Sequence, residues 1–120
     1  MITGEPHIKL VEEMADDVTI LEPHGQLTST TAKEFRDRLI ALVHAGRTAI
    51  VVDLKNIAYI TSAGFHVLLF ANRAVAEERQ GKLALCGVTG EVRRLFQIGA
   101  FIEQFLICQT RADGIEMLRQ

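Results

Sequence analysis

Ser62 stands where the run Asp53-Leu-Lys-Asn-Ile-Ala-Tyr-Ile-Thr61 gives way to the apolar helical pattern Ala63-Gly-Phe-His-Val-Leu-Leu-Phe70. A serine at such a junction has two chemistries open to it. Its oxygen can cap the helix by accepting from first-turn backbone N–H groups, a role that stabilises by about 1 kcal/mol. The same hydroxyl faces solvent where the positive end of the helix dipole tolerates an added phosphate. On spacing alone the cap is the simpler role. Phosphorylation would add roughly −1.5 to −2 charge there, enough to repel a docked partner while leaving the domain folded. Ser62 is therefore a candidate switch.

Hydrolytic chemistry fits less well. His66 follows Ser62 by one helical turn and could be imagined as its base, but no Gly-x-Ser-x-Gly elbow surrounds the serine and no acid is placed to orient the imidazole. His66 reads as a surface residue. His7, His24 and His44 lack metal-ligand spacing, and Gly81, Gly87 and Gly90 match neither a phosphate loop nor a dinucleotide fingerprint. No cofactor or metal is expected. Cys86 and Cys108 each end a strand-like run (Leu-Ala-Leu-Cys, Phe-Leu-Ile-Cys), which reads as two buried thiols, with a strand-to-strand contact between them left open. Glu77-Glu78-Arg79 and Glu91 with Arg93-Arg94 read as solvated helix faces, the second able to rim a binding surface.

The elements that must position Ser62 follow from periodicity. Ile8 to Val11 and Val18 to Leu21 read as a hairpin turning at Asp16-Asp17, after which Pro23 and Gly25 break the pattern. Phe35, Leu39, Leu42 and Val43 recur at helical spacing from Thr31 to about Ala45, with Thr31 and Glu34 as a capping box and Gly46 as the stop. Thr48 to Leu54 is apolar on both faces, as a central strand covered from both sides should be. The helix opening at Ser62 or Ala63 should run to about Gln80, where Gly81 ends it ahead of a strand over Lys82 to Cys86. A helix from about Thr89 to Ile98, a strand from Gln104 to Cys108, and a closing helix capped by Thr110 with Asp113 complete the chain. Alternating strands and helices with short loops predict right-handed crossovers and parallel late strands. The expected fold is α/β, with an N-terminal hairpin and about four helices.

Composition excludes several classes. A chain of 120 residues with 48% hydrophobic content fits one soluble globular domain, and only Met1 to His7 looks loose. With a formal charge of −2 and basic residues scattered singly or in pairs, no cationic stripe offers itself to nucleic acid. No apolar run is long enough to span a bilayer, and the N-terminus lacks a signal-peptide pattern, so a cytoplasmic protein is expected.

The helix after Ser62 carries two apolar stripes. Phe65, Leu68, Leu69, Asn72 and Ala76 form one, and Val67, Phe70, Ala71 and Ala74 the other. One must pack on the sheet. The second is either buried by a neighbouring helix or presented to a partner protein, and the partner is the favoured expectation.

Four stretches together resemble the STAS family, the anti-sigma factor antagonists of bacterial partner-switching systems. They are Val18-Thr-Ile-Leu-Glu-Pro-His-Gly-Gln-Leu27, Ile50-Val-Val-Asp-Leu54, Ile60-Thr-Ser-Ala-Gly-Phe65 and Val92-Arg-Arg-Leu-Phe-Gln-Ile-Gly99. The resemblance covers nearly the whole chain. It implies a single STAS-like domain with a mixed, mostly parallel sheet and no enzymatic activity. It further implies that Ser62 is phosphorylated by a serine kinase that is also the anti-sigma factor, that a PP2C-type phosphatase removes the phosphate, and that the unphosphorylated form binds the kinase. The expected partner surface comprises Thr28, Thr61, Ser62, Ala63, Gly64, His66, Val67 and Phe70. Thr28 and Thr61 stand where family members often carry Asp, and a constitutive adaptor subunit of a transporter or signalling assembly is the alternative that this departure motivates.

Overall fold

A computed structural model describes residues 8–99 and 102–119 of the chain; Met1 to His7, expected to be loose, lie outside the described residues. Asp16, at φ 56°, takes the left-handed turn that aspartate tolerates better than most residues. It joins β1 (Ile8–Ala15) to β2 (Val18–Leu27) as an antiparallel hairpin in continuous register from Ala15 opposite Val18 to Ile8 opposite Gly25.

Both strands run longer than the sequence pattern suggested. Pro23 and Gly25 do not end β2, because β2 changes neighbours at that point. Through Leu21 it pairs β3 (Ala49–Asp53), and from Gly25 it pairs β4 (Ile57–Ile60), with a bulge between Gly25 and Gln26. Pro23 falls in the interval between those two pairings, where its missing N–H leaves no ladder bond unmade. The Leu54-Lys-Asn56 jog between β3 and β4 was not legible as a strand break, so the sequence pattern did not separate β4.

The sheet runs β1-β2-β3-β5-β6, with β5 at Lys82–Cys86 and β6 at Leu106–Ile107; every pairing except the hairpin is parallel. The expected mixed, mostly parallel sheet is present. Strand β3 is buried on both faces, and its alternate residues separate two cores. Ile50 and Val52 join Leu21, Phe35, Leu39, Leu68, Leu85 and Phe96 beneath α1 (Ala32–His44), α2 (Ser62–Ala76) and α3 (Gly90–Ile98). Val51 joins Ile20, Ala84, Cys86, Cys108 and Leu118 on the opposite face, beneath α4 (Arg111–Leu118).

Two further boundaries and one cap differ from expectation. Helix α2 ends at Ala76 instead of Gln80, because the chain doubles back so closely that a Cβ on Gly81 would lie 1.9 Å from the Val75 carbonyl oxygen. Strand β6 keeps only two residues, a 3-10 turn at Ile102–Gln104 taking up the start of the expected strand. The capping box at Thr31 does not form: its hydroxyl donates to the Gln26 carbonyl at 2.7 Å and accepts from the Thr28 N–H at 3.0 Å, tying the β2–α1 loop instead. The box at Thr110 does cap, with Oγ1 accepting from the Asp113 N–H at 3.1 Å.

Candidate functional site

The site forms where β2 and β4 end side by side. The Thr61 N–H donates to the Leu27 carbonyl at 2.9 Å, and the Thr61 hydroxyl reaches the same oxygen at 3.4 Å. Gly64 makes this approach possible, since a Cβ there would lie 2.8 Å from both Ile60 Cγ1 and Leu27 Cβ. Thr28 follows Leu27, so the half-buried Thr28 and Thr61 flank the start of α2. The Thr28 hydroxyl accepts from the Thr30 N–H at 3.2 Å, which orders the loop on that side.

Ser62 is exposed and is the first helical residue, not the cap. Thr61, extended at φ −103° and ψ 177°, occupies the cap position, and no side chain caps the helix there. The capping role expected for Ser62 is thus corrected: its residue is already in the helical turn, and the Thr61 hydroxyl is turned to Leu27. The Ser62 hydroxyl makes no hydrogen bond with the described residues.

The rest of the expected surface divides by burial. His66 and Phe70 are exposed along α2, Phe70 at 43% of its surface, and Ala63 is half-buried. Gly64 and Val67 are buried, and Val67, in the main core, presents no side chain to a partner. Ala71 is buried with it and Ala74 half-buried, so the second apolar stripe belongs mostly to the interior. The favoured expectation of a partner-facing stripe is corrected to one large apolar side chain, Phe70.

A second polar constellation was missed in the sequence. Arg111, at the start of α4, donates to Asp53 at 3.1 Å and to Glu13 at 2.8 Å, and also pairs with Glu22. Asn56 donates to Glu22 at 2.7 Å, and His24 Nε2 lies 2.6 Å from the same carboxylate. Burial pushes the Glu22 carboxyl up, but the Asn56 hydrogen bond and the His24 imidazole against the carboxylate, with Arg111 and Lys55 nearby, outweigh it and hold the group below its ordinary value. The available signals were a lone acid closing the apolar strand at Asp53 and another inside Val18-Thr-Ile-Leu-Glu22. The cluster fastens α4 to the sheet. Beside it, Cys86 and Cys108 are free and buried as expected, and burial first, then Asp53, pushes the Cys86 thiol up to about 12.

The sequence profile described as the STAS domain matches residues 9–114. This chain belongs to the STAS domain family. Among curated relatives of this STAS chain, BtrV of Bordetella bronchiseptica, named as an anti-sigma factor antagonist, is 32% identical over 104 residues, spanning 87% of this chain and 89% of its own. An anti-sigma factor antagonist from Mycobacterium paratuberculosis superposes with a TM-score of 0.85 at 20% identity, covering 94% of this chain and 95% of that one. The phosphorylated form of SpoIIAA, a Bacillus cell fate determinant, superposes with a TM-score of 0.68 at 17% identity, covering 92% of this chain and 99% of that one. At such identities the structures establish the STAS fold. No helix among the described residues of the domain is long and apolar enough to cross a membrane.

Proposed function

We propose that this STAS domain is an anti-sigma factor antagonist in a bacterial partner-switching pathway, acting in the cytoplasm without enzymatic activity of its own. Unphosphorylated, it binds an anti-sigma factor serine kinase through Thr28, Thr61, Ser62, Ala63, His66 and Phe70, with Gly64 and Val67 holding that surface from beneath. In the kinase reaction the Ser62 Oγ bonds to the γ-phosphorus of the kinase's nucleoside triphosphate, the bridging bond to the β-phosphate breaks, the serine proton passes to a base of the kinase, and nucleoside diphosphate leaves. A PP2C-type phosphatase reverses the modification.

The observation that carries this reading is the Ser62 hydroxyl itself: exposed, unengaged and mounted on a first helical turn locked to β2 through Thr61 and Gly64. A phosphate there changes the docking surface while the fold beneath it stays fixed. The neutral Thr28 and Thr61, in positions where relatives often carry Asp, favour the second reading, a constitutive adaptor for which Ser62 has no switching role.

Phosphopeptide mass spectrometry of the native protein, on residues 56–73 in growth and under stress, separates the two. The switch requires phosphate on Ser62 whose occupancy changes with condition. A well-detected peptide that never carries phosphate overturns the switch and leaves the adaptor.

A further inference from the structure

We infer that His66 receives the phosphate on Ser62, as an i to i+4 ion pair formed along α2 in the modified state. The inference rests on Ser62 being the acceptor. Residues four apart on a helix stand about 5–6 Å apart at Cβ and share a face. Helical side chains also lean toward the N-terminus, so the His66 ring lies over the turn that begins with Ser62. Both residues are exposed, with nothing of the core between them and solvent.

Competition for His66 is weak. From Ser62 to Ala76 the helix carries no carboxylate, and its other cation, Arg73, lies eleven residues beyond Ser62, about 16 Å along the axis at 1.5 Å per residue. On the neighbouring helices, Asp37 is taken by Lys33 at 2.7 Å and Glu91 by Arg94 at 2.8 Å. Glu34, the remaining acid of α1, lines the groove shared with Leu10 of β1. Strands β4 and β5 beneath α2 bring no acid, Tyr59 and Lys82 being their titratable residues besides Cys86, and the flanking Thr28 and Thr61 are neutral. The other charged or titratable side chains of α1 and α3 outside these ion pairs, Arg36, Arg38, His44 and Arg93, are basic and do not draw an imidazolium away, and the acid of the 3-10 turn, Glu103, sits on an element that meets α2 at Asn72, six residues beyond His66. A phosphate on Ser62 would thus be the anion one turn from His66. The pair would alter two adjacent positions of the partner surface with one modification.

The test uses the full chain with phosphoserine installed at position 62 during translation, compared with the unmodified chain. The histidines are followed by carbon-13 NMR titration and the phosphate by phosphorus-31 NMR. An imidazolium stabilised by a nearby dianion gives up its proton at higher pH, so the His66 midpoint should rise by about 0.5–1 pH unit in the phosphoprotein, with His24 and His44 unmoved as internal controls of the fold. The phosphate's second ionisation should move up in His66→Gln relative to the phosphorylated parent. Superimposable His66 curves with and without phosphate overturn the inference, as does a phosphate ionisation indifferent to His66→Gln. Because the phosphoserine is installed and not made by a kinase, failure here is distinct from failure to find phosphate on the native protein.

Discussion

Gly64 shows how a single atom's absence builds the site. A Cβ at this position would meet Ile60 Cγ1 and Leu27 Cβ at 2.8 Å and the Leu27 carbonyl oxygen at 2.9 Å, and the last of these is backbone that cannot swing aside. Gly64→Ala should therefore destabilise the domain by about 1–3 kcal/mol, the range for overpacking a tight contact, read from urea unfolding midpoints. Ser62→Ala should stay within about 0.5 kcal/mol of the parent, because the hydroxyl caps nothing. On the proposed function, affinity for an anti-sigma factor kinase should divide the variants differently: Ser62→Ala keeps it and Ser62→Asp loses about tenfold or more, some 1.4 kcal/mol. Equal binding by all three forms would remove Ser62 from the interface. Position was legible here and role was not. An exposed serine at a helix start follows from composition and periodicity, whereas its exclusion from the cap depends on Thr61 turning toward Leu27, a partner 34 residues away in sequence.

At the scale of elements, the four helices begin alike in sequence and differently in space. Thr31, Thr61, Thr89 and Thr110 all precede helices, yet only Thr110 accepts a first-turn N–H. Thr110→Ala should cost about 1 kcal/mol, the usual loss for a working cap. Thr61→Ala should cost less than half of that, its hydroxyl contact being long at 3.4 Å. Equal losses in thermal unfolding would mean that the Thr61 hydroxyl does more than its geometry allows. A threonine three residues before an acid signals a helix start well. It cannot say whether the hydroxyl has a better acceptor elsewhere, as Thr31 has in the Gln26 carbonyl. The same limit explains β2: Pro23 is a sound breaker in isolation, and only the change of neighbour from β3 to β4 gives it a place where no ladder bond is needed. Strand β5 was legible throughout because both its ends are set locally, by Gly81 before it and Gly87, at φ 68°, after it.

Across the whole molecule, α4 is an eight-residue helix that covers the smaller core, and Arg111 fastens its first turn to three strands. Asp53, with 3% of its side chain exposed, and Glu22, with 11%, would be left as buried anions without this guanidinium. Removing one partner from a buried ion pair typically costs about 3–5 kcal/mol, so Arg111→Met should lower unfolding stability by roughly 3 kcal/mol at neutral pH, the lower figure reflecting the remaining Asn56 and Lys55 contacts. The sign of the pH dependence follows from Glu22. Its folded carboxyl titrates below the ordinary 4.5, so it binds fewer protons folded than unfolded near that pH. Its contribution is therefore complete above that value and is lost as pH falls through the lowered folded one. The parent should lose stability as pH falls below about 4.5, and Arg111→Met should lose somewhat less over the same interval, because one of the interactions that depress Glu22 is gone while those with Asn56 and His24 remain. Urea unfolding at a series of pH values from neutral to acid measures both slopes. Parallel curves displaced by a constant would show that Arg111 holds α4 by packing alone, since only an electrostatic link makes the loss depend on the protonation of Glu22.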